Sequence, residues 1–405
     1  MSWIILSLAL SCWIPFPGAC CIAQETSIPD PLQASATTYL VDRSRFLQAV
    51  PRTDGGTTPK TVLGSEELSI FEKALKKHKA RLVVRASNEG AVGTPLVLGG
   101  SRKKDHVGDV DVEIGESGQV TATKVQSVIQ WGTNATLETE WPREDAATLR
   151  IQAHVRFCAL AGMKTSRVGK LRVEHPCLSL CTFDTVLDLE PGEAALFAGI
   201  TPGYPDHVLL LILEVRSSRA ASAGSPPEAE EPVNATAALW LFASSKSSTR
   251  SLARACTRKE LSYRDAYDRV QKNGDVVFLG LGPALAGTMV STRIETQRTY
   301  IESWDEEMAG GRSAWDPVVG TCRTGVDCSL TVSPGSSTIN ELRFQIETEP
   351  GRTRTMPGCK RKVADLHLVT KDVANSAPML VEKGNSLFDV GRLGARGRGI
   401  LLITR

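Results

Sequence analysis

Asp184-Thr-Val-Leu-Asp-Leu-Glu-Pro-Gly-Glu-Ala-Ala-Leu-Phe-Ala-Gly199 is the stretch on which the reading of this chain turns. Val186, Leu187 and Leu189 form one apolar run, Glu190-Pro191-Gly192 a turn, and Leu196 with Phe197 a second run. Two short apolar runs around Pro-Gly predict a hairpin, with the glycine supplying a positive φ. His207-Val-Leu-Leu-Leu-Ile-Leu-Glu-Val-Arg216 follows, an aliphatic run of strand length that is too short to cross a bilayer as a helix. The same pair recurs near the C-terminal end. Leu380-Val-Glu-Lys-Gly-Asn-Ser-Leu-Phe-Asp-Val-Gly391 is followed there by Gly399-Ile-Leu-Leu-Ile-Thr-Arg405.

Working outward, a shift of 193 residues brings much of the chain onto itself. Val83-Val84 meets Val276-Val277, and Val97 meets Val290. Gly118, Gly132 and Leu137 meet Gly311, Gly325 and Leu330, and Leu149-Arg150 meets Leu342-Arg343. A shift of 192 places Gly192 on Gly384 and Gly199 on Gly391. Such self-similarity predicts two diverged copies of one unit. A helix is expected over residues 66–79, with Ser65 as its cap and Leu68, Phe71 and Leu75 as its apolar stripe. A second helix is expected near Thr257-Arg-Lys-Glu260, which has the form of a capping box. Thr37 to Val41, Arg81 to Arg85, Pro95 to Leu98 and Asp109 to Ile114 read as strands, and Thr133–Glu140 with Thr148–Arg156 as a hairpin. The fold class predicted is α+β, mainly β. Residues 37–216 form the first unit and 237–405 the second. Residues 217–236, rich in Ser, Ala, Gly, Pro and Glu, form a flexible linker.

Composition narrows the function. Lys+Arg 47 against Asp+Glu 45 leaves a net charge of +2, which gives nucleic acid no electrostatic footprint. The 34 Gly and 21 Pro, with recurrent Val, Thr and Ser, mark a turn-rich β chain. Residues 1–23 are apolar, interrupted by Pro15 and Pro17, and end in small residues. They read as a secretory signal cleaved after Ala23; a membrane anchor and lipidation at Cys20 or Cys21 are the alternatives. Removing Cys12, Cys20 and Cys21 leaves seven cysteines, an odd number with no framework spacing.

The order within each unit (helix, strand, Gly-containing break, hairpin, Gly turn and aliphatic closing strand) resembles the secretin homology domain of type II and type III secretion channels. Gly132 to Glu140, Asp184 to Gly199 and Val208 to Val215 carry the resemblance in the first unit. Gln297 to Ile301, Asp316 to Gly325, Leu330 to Pro334 and Ile400 to Thr404 carry it in the second. The resemblance implies a non-enzymatic protein of the periplasm or outer membrane of a bacterial envelope. Its partners would be proteins of a secretion or envelope assembly, further copies of itself among them. The competing reading is a monomeric periplasmic or surface β-rich binding module.

Gly280-Leu-Gly-Pro-Ala-Leu-Ala-Gly287 lacks the Gly-x-Gly-x-x-Gly spacing of a dinucleotide loop. His175, Cys177 and Cys181 suggest zinc, but on a strand the two thiols lie about 13 Å apart, so small core residues are expected. Cys322 and Cys328 flank Gly325 and would bridge if it were a turn in an oxidising compartment. His106 beside Asp105, Asp109 and Asp111 reads as a solvated strand edge. No catalytic, cofactor-binding or metal constellation is predicted, and no cofactor.

Overall fold

The computed structural model describes residues 30–52, 59–143, 146–168, 170–201, 206–217, 234–245, 275–333, 336–347, 352–355, 362–365, 368–374, 379–382, 385–393 and 397–404. The apolar N-terminal segment, residues 218–233 of the expected linker, the helix expected near Thr257, and His367 lie outside them. Residues 234–236 of that linker belong to a strand.

The first unit runs β1 (Pro31–Asp42), α1 (Arg43–Ala49), β2 (Val62–Leu63), α2 (Ser65–Lys77), β3 (Arg81–Ala91), β4 (Leu96–Ile114), β5 (Val120–Glu140), β6 (Leu149–Val168), β7 (Leu171–Leu189), β8 (Ala194–Ile200) and β9 (His207–Ser217). The second runs β10 (Asn234–Ser245), β11 (Asp275–Leu285), β12 (Met289–Ala309), β13 (Arg312–Ser333), β14 (Ser336–Glu347), β15 (Arg352–Thr355), β16 (Lys362–Asp365), β17 (Leu368–Ala374), β18 (Met379–Glu382), β19 (Asn385–Leu393) and β20 (Gly397–Thr404). The chain is α+β and mainly β, built on two antiparallel sheets.

One sheet has the order β18-β19-β20-β10-β11-β8-β9-β1-β3, with β2 on β8, and the other β17-β14-β13-β12-β7-β6-β5-β4. They pack face to face. Leu32, Ala36, Leu209, Leu211, Leu213 and Phe197 from one sheet meet Leu98, Leu137, Phe157 and Phe183 from the other in a single core. Residues 208–213 are all buried, because β9 is central and is covered on both faces. Alternation turns Leu209, Leu211 and Leu213 into the sandwich and Val208, Leu210 and Ile212 toward the side where α1 lies. Each such side chain contributes about 1.5–3 kcal/mol by leaving water, so this run anchors the unit.

The helix over residues 65–77 buries Leu68, Phe71 and Leu75 as its stripe predicts. Its cap is Gly64, not Ser65: Glu67 Oε2 accepts the Gly64 N–H at 3.1 Å, and Ser65 is already helical. Lys60 grips the same carboxylate at 2.7 Å.

Two expectations are corrected. The Glu190-Pro191-Gly192 turn is not a hairpin. β7 pairs with β6 and β12, whereas β8 pairs with β9, so the turn is a corner carrying the chain from one sheet to the other. Gly192 sits at φ +93°, the left-handed conformation such a corner needs. Apolar runs look alike on either side of a corner or a hairpin, so the pattern could not separate them. The recurrence of the stretch near the C-terminal end does form a hairpin, β18 with β19, Met379 opposite Leu387 and Leu380 opposite Ser386. Gly325 is likewise no turn. It lies inside β13, so Cys322 and Cys328 are buried on one strand about 20 Å apart at strand rise, too far to bridge each other.

The two units share one pairing order. β8-β9-β1-β3 in the first unit corresponds to β19-β20-β10-β11 in the second, and β7-β6-β5-β4 to β17-β14-β13-β12. Irregularities coincide too. The β1–β3 ladder skips Val83 between Thr38 and Tyr39, and the β10–β11 ladder skips Val277 between Leu241 and Phe242. The β4–β5 ladder skips Gly108 and the β12–β13 ladder Glu302. Both spacings are 194 residues, so Val290 corresponds to buried Leu96, not to Val97, which is 52% exposed. Later the correspondence slips again. Eight residues join β5 to β6 but two join β13 to β14, so Leu342 stands where Val155 does, not Leu149.

Candidate interaction site at the joint between the units

The units meet strand to strand in both sheets. In one, Leu279, Gly280 and Leu281 of β11 pair with Ile200, Gly199 and Ala198 of β8. In the other, Ser291 to Arg298 of β12 pair with Asp184 to Cys177 of β7. Between the sheets the aromatic rings converge. Phe183 stacks on Phe157 with ring centroids 5.9 Å apart and tilts against Phe197 at 5.3 Å. Gly282 lies on this cluster: an added Cβ would sit 3.1 Å from Phe197 and 3.3 Å from Phe183. Thr185 Oγ1 donates to the Pro283 carbonyl at 2.8 Å, a buried hydrogen bond from β7 to β11 across both the joint and the sandwich.

Gly280 to Gly287 therefore belongs to β11 and its turn, where it serves the joint, and not to a phosphate loop. Sequence reasoning missed this role; Gly282 was the available signal, since a Cβ there would crowd Phe197 and Phe183.

Beside the joint opens a cavity of about 530 Å³, bounded by Thr94, Glu138, Glu140, Gln152, Leu285 and Thr288. Arg150 lines it as well, and its guanidinium is held by Asp188 in two hydrogen bonds of 3.0 and 3.1 Å. The turns that flank it are equivalent, with Gly93 at φ +85° and Gly287 at φ +88°. The solvent face of the second sheet carries one polar pair on each side of the joint: His154 with Asp184 in the first unit, and Arg293 with Asp327 in the second.

The other clusters come apart. His175 is buried, its Nε2 sits 2.8 Å from Ser166 Oγ, and its Nδ1 has no hydrogen-bond partner. Burial, then the nearby His106, holds its pKa below the ordinary imidazole value. Cys181 is a core residue and Cys177 is half-buried. Burial pushes the Cys158 and Cys328 thiols up to about 12, and Cys177 and Cys181 upward as well. His106 is buried, contrary to its reading as part of a solvated edge, and lies near His175. Asp109 is part-buried and its pKa is raised by burial and then by Asp111. His78 ends α2, and Arg45 donates to its carbonyl. Among the described residues no three His, Cys, Asp or Glu side chains group as a metal site.

The outer ends of the long strands form a second, smaller core. Val110, Val112, Val173, Ile301, Trp304 and Val363 meet there. The turns of the β4–β5 and β12–β13 hairpins touch, Arg312 donating to the Gly118 carbonyl at 3.1 Å. No helix among the described residues is long and apolar enough to cross a membrane. The chain matches no family model, no curated protein and no solved structure.

Proposed function

We propose that this chain is a non-enzymatic component of a bacterial cell envelope, exported by its N-terminal segment. We take it to consist of two diverged copies of one secretin-like unit, working in protein secretion or outer-membrane assembly. The observation that carries this reading is the joint: the units are connected by main-chain pairing in both sheets, the mode by which β-rich assembly proteins recruit partners. The near-zero net charge and the resemblance in strand order support it further. A second reading, a monomeric β-rich binding module, draws on the cavity beside the joint, whose walls offer Glu138, Glu140 and Gln152 to a ligand.

Expression of the full chain in a bacterium, followed by fractionation and N-terminal sequencing, tests the first reading. Cleavage after Ala23 with recovery in the envelope fraction is the expected result. An intact N-terminus in the soluble cytoplasmic fraction would defeat it.

A further inference from the structure

The joint is not symmetric. It brings the β11/β12 side of the second unit against the β8/β7 side of the first. Their counterparts lie at the outer ends of the molecule. β3 and β4, which correspond to β11 and β12, end their sheets on the first unit, each paired on one side only among the described residues. β17 corresponds to β7 and ends the second sheet. β19 corresponds to β8; β18 covers it over Asn385 to Leu387, while Val390 to Arg392 have no partner on that side among the described residues. Each edge is therefore a version of a strand edge that is already paired inside the chain.

We propose that copies of this chain pair head to tail through these edges, repeating between molecules the joint built within one. Such a heterologous contact closes into a ring or extends as a filament. The internal register transfers with Asn88 in the place of Gly282, its amide donating to the Val97 carbonyl at 2.9 Å and having to yield it to the next copy. Ser291 opposite Asp184 becomes Val97 opposite Ala374 of the next copy, and the seven residues of β17 then span Val97 to Lys103. In the first sheet, Gly280 opposite Gly199 becomes Ala86 opposite Gly391. The internal β12 pairing stops before the Glu302 bulge, and the matching stretch of β4 stops before its own bulge at Gly108. Val97, half-exposed on this edge, would be covered.

A further continuity supports the occupant. One row of residues crosses the whole second sheet: Gly99, Asn134, Arg156, Thr182, Arg293, Asp327, Arg343 and Asp372. Repeating the joint sets Asp372 of one copy opposite Gly99 of the next, where no side chain opposes it. The edge is blunted against other strands by Arg102, Lys103 and Lys104, which suits a dedicated partner better than indiscriminate pairing.

This inference deepens the assembly reading and rests on it only for the mode of pairing; localisation tests the envelope role, and size in solution tests the contact. Sedimentation of the purified full chain over a wide concentration range, with and without detergent, should show species larger than the monomer. Glu at both Val97 and Ala374 should weaken association about fivefold relative to Val97→Glu with Ala374→Lys. A photo-crosslinker at position 97, in a mixture of isotope-labelled and unlabelled chains, should form its adduct on residues 368–374 of another molecule. A monomer at every concentration overturns the proposal, and so does an adduct at another register or within one chain.

Discussion

The two units follow one wiring diagram, yet they spend their residues differently at matching positions. The first closes its core on aromatic rings, with Phe157 and Phe183 stacked and Phe197 tilted against them. In the second unit Phe344 and Phe388 keep the registers of Phe157 and Phe197, and Val373 takes that of Phe183. Along one row the second unit has the alternating charges Arg293, Asp327, Arg343 and Asp372 where the first has Gly99, Asn134, Arg156 and Thr182. What is common to both is what the backbone requires: bulges, corner glycines and pairing order. Two phenylalanine registers are kept as well, and what differs is the residue between them and the row of charges, which tells which positions the fold itself constrains.

The largest expected effect falls where the first unit touches the second. Phe183→Ala would remove the middle ring of the cluster on which Gly282 rests, at a cost of about 4 kcal/mol. Chemical denaturation should show both units losing stability together, since the core is continuous across the joint. Independent transitions, with the second unit unaffected, would break the view of one shared core.

Glycines test the equivalence itself. A Cβ on Gly132 would lie 2.1 Å from the Gly100 carbonyl oxygen, and one on Gly325 would lie 2.4 Å from that of Ile294. Both obstacles are backbone, so neither can rotate away. Gly132→Ala and Gly325→Ala should each cost about 2–3 kcal/mol, through strand displacement or local overpacking. Equal losses in thermal melts sharpen the comparison; a neutral outcome at one site would break it.

This pair also shows how much could be read beforehand. Gly132 and Gly325, and Leu137 and Leu330, stood out at one spacing because strand length there is preserved. Val97 did not correspond to Val290, because a single inserted residue flips every side chain to the other face while the composition stays the same. Leu149 did not correspond to Leu342, because a loop six residues shorter moves the strand without changing its apolar pattern. The joint lay beyond reach altogether. Neither Gly282 nor Thr185 advertises a contact in its own neighbourhood, since their partners are nearly a hundred residues away.

Acid should act on the first unit through His175, which is buried and has a depressed pKa. A base whose folded pKa lies below its unfolded value binds more protons when unfolded. The neutral ring is accommodated above the ordinary imidazole pKa of about 6.5, and stability is lost as the pH falls from there toward the folded value. His175→Phe should flatten the dependence of the melting temperature on pH across this window. An unchanged slope would place the acid response elsewhere.

The smallest effect is expected where the units differ most visibly. Arg293 and Asp327 pair across β12 and β13 with both side chains about half exposed, 56% and 43%. Asn134 stands at the equivalent position of the first unit, so Asp327→Asn imports what that unit already has. The charged pair is screened by water and pays for holding two long side chains in one geometry, so the loss should be about 0.5 kcal/mol and should vanish at high salt. A larger loss that persists in salt would mean that the charged row is a structural element of the second unit, not a solvated face. The tolerance of the first unit for Asn at that register would then need a separate explanation, most directly from Arg156, which stands opposite Asn134 as Arg343 stands opposite Asp327.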